Sequence, residues 1–148
     1  MGEGLDKELL GVEEGNVVQF EKKEEKPKRK PFHYWEVSGK AHRLKLTTGM
    51  ITTLEGKYKK NIMNLVMDDG IPPLSVMLTI TQAALDPWEH GTSYNDVQKM
   101  FDAWIEEGGD QQSFYAKVIL PIMAVSGFFS QKQAGELMES VESAMGSL

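Results

Sequence analysis

Gln111-Gln112-Ser113-Phe114-Tyr115-Ala116-Lys117-Val118-Ile119-Leu120-Pro121-Ile122-Met123-Ala124-Val125 is the stretch on which the fold turns. Wound as a helix, it points Phe114, Tyr115, Val118, Ile119, Leu120, Ile122, Met123 and Val125 in every direction, and Lys117 is its single charge. A helix that is apolar all round has to be surrounded by its own protein. Val118 to Val125, the longest strongly apolar run, falls far short of the roughly 20 residues that cross a bilayer. The stretch therefore reads as the central helix of a core, capped by Asp110 and kinked at Pro121, whose ring and missing N–H disturb a helix interior.

The neighbouring segments are more polar and read as elements packed around that centre. Ser93 and Asp96 form a capping pair before a stripe of Tyr94, Val97, Phe101 and Trp104, with Met100 and Ile105 beside it and Gly108-Gly109 at its end. Pro72-Pro73 opens a helix from Leu74 to about Leu85, which stops before Asp86-Pro87. Ile62 to Met67 makes a short apolar turn. Thr47 or Thr48 caps a helix bearing Met50, Ile51, Leu54 and Tyr58, weakened by Gly49 and Gly56. Downstream, Ser126-Gly127-Phe128-Phe129-Ser130 breaks the central helix. A last helix then carries Ala134, Leu137, Met138, Val141, Ala144 and Met145 on one stripe.

Upstream of the helices the apolar period changes to two. Tyr34-Trp35-Glu36-Val37 and His42-Arg43-Leu44-Lys45-Leu46 alternate as half-buried strands do. With Gly39-Lys40 as a type II′ turn, Val37 would face His42 and Trp35 would face Leu44. The expected fold class is mainly α (α+β): an N-terminal β-hairpin followed by about five or six helices packed as an irregular bundle. Residues 1–31 read as a flexible charged extension or linker, with at most a short helix around Leu5–Leu10. Residues 32–130 read as the hairpin and helical core domain, and residues 131–148 as a C-terminal amphipathic helix.

Composition removes most chemistry. The chain has 148 residues, 16 Lys+Arg, 22 Asp+Glu, three histidines and no cysteine, which excludes disulfides, thiolate metal sites and thiol nucleophiles. Its net charge of −6 argues against general nucleic-acid binding, although the charge is uneven. Residues 32–61 carry six basic and two acidic residues, and residues 62–148 carry three basic and twelve acidic. The Lys26–Lys30 run has Glu21, Glu24 and Glu25 just upstream and reads as solvated rather than phosphate-gripping. Trp88-Glu89-His90 is the one place where a carboxylate and a histidine adjoin, but neighbours in a loop flanked by Pro87 and Gly91 point apart. Asp68-Asp69-Gly70 lacks the later ligands of a calcium loop and reads as a turn. No phosphate loop, dinucleotide fingerprint or nucleophile elbow occurs. No enzyme activity, cofactor or metal is expected, nor is a signal peptide or membrane span.

Nine methionines are left to account for. They read either as gap-filling core residues or as an adaptable surface for apolar helices of another protein.

The order of features resembles the tail assembly chaperones of long-tailed phages and prophages of Gram-positive bacteria. The resemblance is carried by Arg43-Leu44-Lys45-Leu46-Thr47-Thr48, Leu54-Glu55-Gly56, Lys60 to Leu65, Ala84-Leu85 before His90-Gly91, Val97 with Phe101-Asp102 before Glu107-Gly108-Gly109, and Val125-Ser126-Gly127-Phe128-Phe129. It covers about residues 34–130 and leaves out the charged extension. It implies a non-enzymatic protein of the bacterial cytoplasm, absent from the finished virion. Such a protein binds the tape measure protein, keeps it soluble, and helps recruit tail tube subunits through a longer frameshifted product, this chain being the short form. Candidate partner-binding residues are Phe101, Trp104, Met123, Phe128, Phe129, Leu137, Met138 and Val141. Homo-oligomerisation is left open. The rival expectation is a structural tail component, an oligomeric connector or completion protein retained in the particle.

Overall fold

A computed structural model describes residues 29–146, so all but the last residues of the charged extension lie outside the described residues. The chain is mainly α with a hairpin. The hairpin pairs β1 (His33–Val37) with β2 (Lys40–Leu44) antiparallel. Six helices follow: α1 (Thr48–Tyr58), α2 (Ile62–Met67), α3 (Leu74–Leu85), α4 (Tyr94–Glu106), α5 and α6 (Gln131–Gly146). The central helix α5 runs through Gln111–Phe114, Tyr115–Ile119 and Leu120–Val125 without a break.

The helix ends fall where the side chains can satisfy exposed backbone donors. Thr47 caps α1 and Asn61 caps α2, each accepting from the backbone N–H three residues on. Ser93 with Asp96, and Asp110 with Ser113, form reciprocal capping boxes at α4 and α5. These bonds favour the ionised carboxylates and hold Asp96 and Asp110 below the usual acid range.

The turn corrects one expectation. Ser38 and Gly39 are its central residues, with φ of 56° and 75°, so both lie in the left-handed region of a type I′ turn. Val37 consequently faces Lys40, Trp35 faces His42 and His33 faces Leu44. The register differs by two residues from the expected one. Because the side-chain period is also two, the buried face keeps Trp35, Val37, His42 and Leu44.

The central helix departs from the expected simple kink. It continues through Pro121, and the five residues Tyr115–Ile119 just before it take the wider π geometry, with Leu120 N–H bonded to the Tyr115 carbonyl. Pro121 has no N–H to offer the carbonyl four residues back, that of Lys117. His33 on β1 fills that place, with Nε2 2.7 Å from the Lys117 oxygen. Further bonds hold the strand that leaves the hairpin. Lys45 N–H donates to the Ala84 carbonyl at 3.0 Å, Leu46 N–H to Ser126 Oγ at 2.9 Å, and Trp88 Nε1 to the Lys45 carbonyl at 3.3 Å.

The core lies between the hairpin's inner face and α3, α4 and α5. Its centre is aromatic: Phe114 meets Trp35 at 5.2 Å and Phe101 at 5.1 Å between ring centroids, both edge-on. Trp104 leans on the same pair, and its Nε1 donates to the Asp110 carbonyl at 3.2 Å. The turn after α4 passes so close to this ring that a Cβ at Gly109 would stand 2.3 Å from Trp104 Nε1. A rigid, packed indole cannot yield as a flexible chain end would. Gly109→Ala is therefore expected to cost about 1–3 kcal/mol, the range for overpacking. Urea unfolding followed by Trp fluorescence checks this, and Gly56→Ala, with open space at its Cβ, serves as the control.

Candidate partner-binding surface

Helix α6 supplies one wall of the surface. Ser130 Oγ accepts from Gln133 N–H and Gln133 Oε1 accepts from Ser130 N–H, a reciprocal cap that starts the helix. Its apolar stripe then meets the end of α5, where Ala134 and Met138 pack on Ala124 with Phe129 and Leu137 alongside. The other wall is the segment entering β1. Arg29 donates to the Phe129 carbonyl and Lys30 pairs with Glu142. Between the walls lies an open, mostly apolar groove of about 360 Å³, lined by Phe32, His33, Tyr34, Met138 and Val141 with Lys30 and Glu142 at its rim.

The eight candidate residues divide into two groups. Met123 is fully enclosed and Phe101, 6% exposed, packs edge-on against Phe114, and neither lines the groove. Both were expected at a client surface, and both serve the core instead: Met123 lies on the buried face of α5, and Phe101 turns from α4 onto Phe114. Trp104 is half-buried in the aromatic cluster around Trp35. Phe128 and Phe129 are half-buried against the core and close it beneath α6. Leu137, Met138 and Val141 remain: Met138 and Val141 line the groove although only 4% and 7% exposed, and half-buried Leu137 lies next along the helix. Of the seven methionine side chains described, only Met67 is exposed, so the methionines are mainly core filler.

Two features escaped the sequence reading. Phe32 and Tyr34 belong to the groove; Tyr34, 49% exposed, sits on the outward beat of a strand whose inward beat is the core. The other is the partner of Glu89. This residue reads as part of a solvated loop, yet it is half-buried and accepts from His42 Nδ1 at 2.7 Å, with Lys40 Nζ 3.6 Å from its second oxygen. Forty-seven residues separate His42 and Glu89, so no local pattern announces the pair. Among the described residues no hydroxyl is hydrogen-bonded to His42, and no group of three or more potential metal ligands forms. The pair fastens the α3–α4 loop to the hairpin.

His33 joins the groove to the core. Its acceptor is a carbonyl, so Nε2 carries the hydrogen. Burial lowers its pKa from the ordinary 6.5, with the Lys117 hydrogen bond opposing that shift in part. No family model, curated protein or solved structure matches the chain.

The lowered pKa fixes the sign of a pH effect. Below 6.5 the unfolded chain protonates His33 while the folded chain resists, so folding stability falls as pH drops through 6.5. The loss ends once the folded-state pKa is passed. The stability advantage of the wild type over His33→Gln is expected to shrink by up to about 1.4 kcal/mol over the first pH unit below 6.5. Denaturant titrations of both proteins at a series of pH values check this, with the chain's carboxylates common to both.

Proposed function

We propose that the chain is a non-enzymatic tail assembly chaperone that holds the tape measure protein soluble and helps recruit tail tube subunits around it. The observation that carries this reading is the apolar groove open between the β1 entry and α6. The ordered motifs from Arg43 to Phe129 support it alongside. A client helix would lay apolar side chains spaced three and four residues apart against Phe32, Tyr34, Met138 and Val141. Such a groove is small, and many copies along one long client supply the affinity that one copy lacks. The acidic helical part, with twelve acidic against three basic residues from 62 onward, keeps the loaded complex in solution. This role places the chain in the bacterial cytoplasm and outside the finished particle, with tube subunits recruited through a frameshifted longer form.

Co-expression with the tape measure protein of the same tail cluster tests the reading. The wild type is expected to move the client from the pellet to the soluble fraction. Tyr34→Ser with Val141→Ser is expected to reduce that fraction several-fold while the far-UV spectrum stays that of the wild type. An unchanged soluble fraction would remove the groove from the mechanism. Mass spectrometry of purified tails completes the test: stoichiometric amounts of the chain in particles would establish a structural tail component instead.

A further inference from the structure

The groove begins where the described chain does. Five consecutive residues, Lys30 to Tyr34, line one side of it, and Arg29 stands one residue before them. Arg29 donates to the Phe129 carbonyl and Lys30 pairs with Glu142, so the entering chain is fixed to the segment before α6 and to α6 itself. Residues 1–28 lie outside the described residues, but their sequence divides sharply. Glu21 to Lys28 holds four Lys, three Glu and Pro27, and offers little to an apolar wall. Val17-Val18-Gln19-Phe20 is the first apolar island upstream of it.

We propose that Val17-Val18-Gln19-Phe20 seats in this groove, so that the chain covers its own apolar surface. Eight residues separate Phe20 from Arg29, with a reach of at most about 26–29 Å when fully extended. A groove whose first lining residue follows Arg29 lies inside that reach. So short a tether holds a segment at an effective concentration on the order of mM. One Phe and two Val against Phe32, Tyr34, Met138 and Val141 make a weak contact for a free peptide. At that effective concentration even a mM affinity fills the groove about half the time. Leu9-Leu10 stands eighteen residues from Arg29, where the effective concentration has fallen about threefold. The lining also matches the segment. Its only charges, Lys30 and Glu142, pair with each other, and the Nε2 of His33 is taken by the Lys117 carbonyl. An uncharged segment leaves no ion unmet there. The proposal rests on the groove and not on its client, although a client helix would have to displace the segment.

Two measurements on the full chain, neither containing a client, test the proposal. In the NMR spectrum of isotope-labelled methionine methyl groups, Val18→Ser with Phe20→Ser is expected to shift the Met138 resonance, identified with Met138→Leu. The resonances of Met77 and Met123, enclosed and away from the groove lining, are expected to stay in place. An unmoved Met138 resonance overturns the proposal. The absence of cysteine allows the second measurement. Phe20→Cys is combined with Val141→Cys, in the lining, or with Glu139→Cys, exposed on the same helix and outside the lining. Under mild oxidation of dilute protein, the pair at 20 and 141 is expected to close an internal disulfide several-fold faster than the pair at 20 and 139. A tether that merely collides with α6 favours the exposed position, so equal rates or the reverse order overturn the proposal. Disulfide-linked dimers in place of the internal bond would put the segment on another copy, and would overturn it as well.

Discussion

The carbonyl oxygen of Lys117 is the constraint from which the rest of the arrangement follows. In a helix interior that oxygen is met by the N–H four residues on, and Pro121 brings none. A buried carbonyl left without a donor costs about 1–3 kcal/mol, so the chain has to provide one from outside the helix. It does so with His33, the first residue of β1. This bond ties the start of β1 to the central helix, beside the packing of Trp35 on Phe114. The same strand carries Tyr34 on its outer face, so the bond that completes the helix also places one wall of the groove.

Features written in local chemistry were legible in the sequence. The capping pair at Ser93, the cap at Asp110, the Pro72-Pro73 opening and the stop before Asp86 each depend on residues within one turn of one another, and the helices begin and end there. The hairpin register was not legible. Ser38 occupies a left-handed position that its side chain does not advertise, whereas Gly39 fits either of two turns. The π stretch was also invisible, because it involves a proline within the helix and a histidine 84 residues upstream.

The candidate surface was half legible for a related reason. An apolar stripe announces that something covers it and does not say what. On α6 the stripe is covered on one side by Ala124 and Phe129 and opens at Val141 onto a groove, so Met138 and Val141 could be read from spacing alone. On α4 the same kind of stripe ends in an aromatic cluster assembled from the hairpin, α4 and α5, and Phe101 disappears into it. Tyr34 carried a signal in the strand's alternation: a large aromatic on the solvent beat, 49% exposed, lines the groove beside Phe32.

The bonds that fix the hairpin also set an order of assembly. His33 waits for Lys117, 84 residues later, and Leu46 waits for Ser126, 80 residues later. Helices close on local contacts, whereas closing loops of that length slows the step that needs them. On a ribosome adding about 5–20 residues per second, the strands emerge several seconds before the helix that completes them. Among the described residues the first element made is thus the last to be secured, and until then its apolar inner face is open to whatever is nearby.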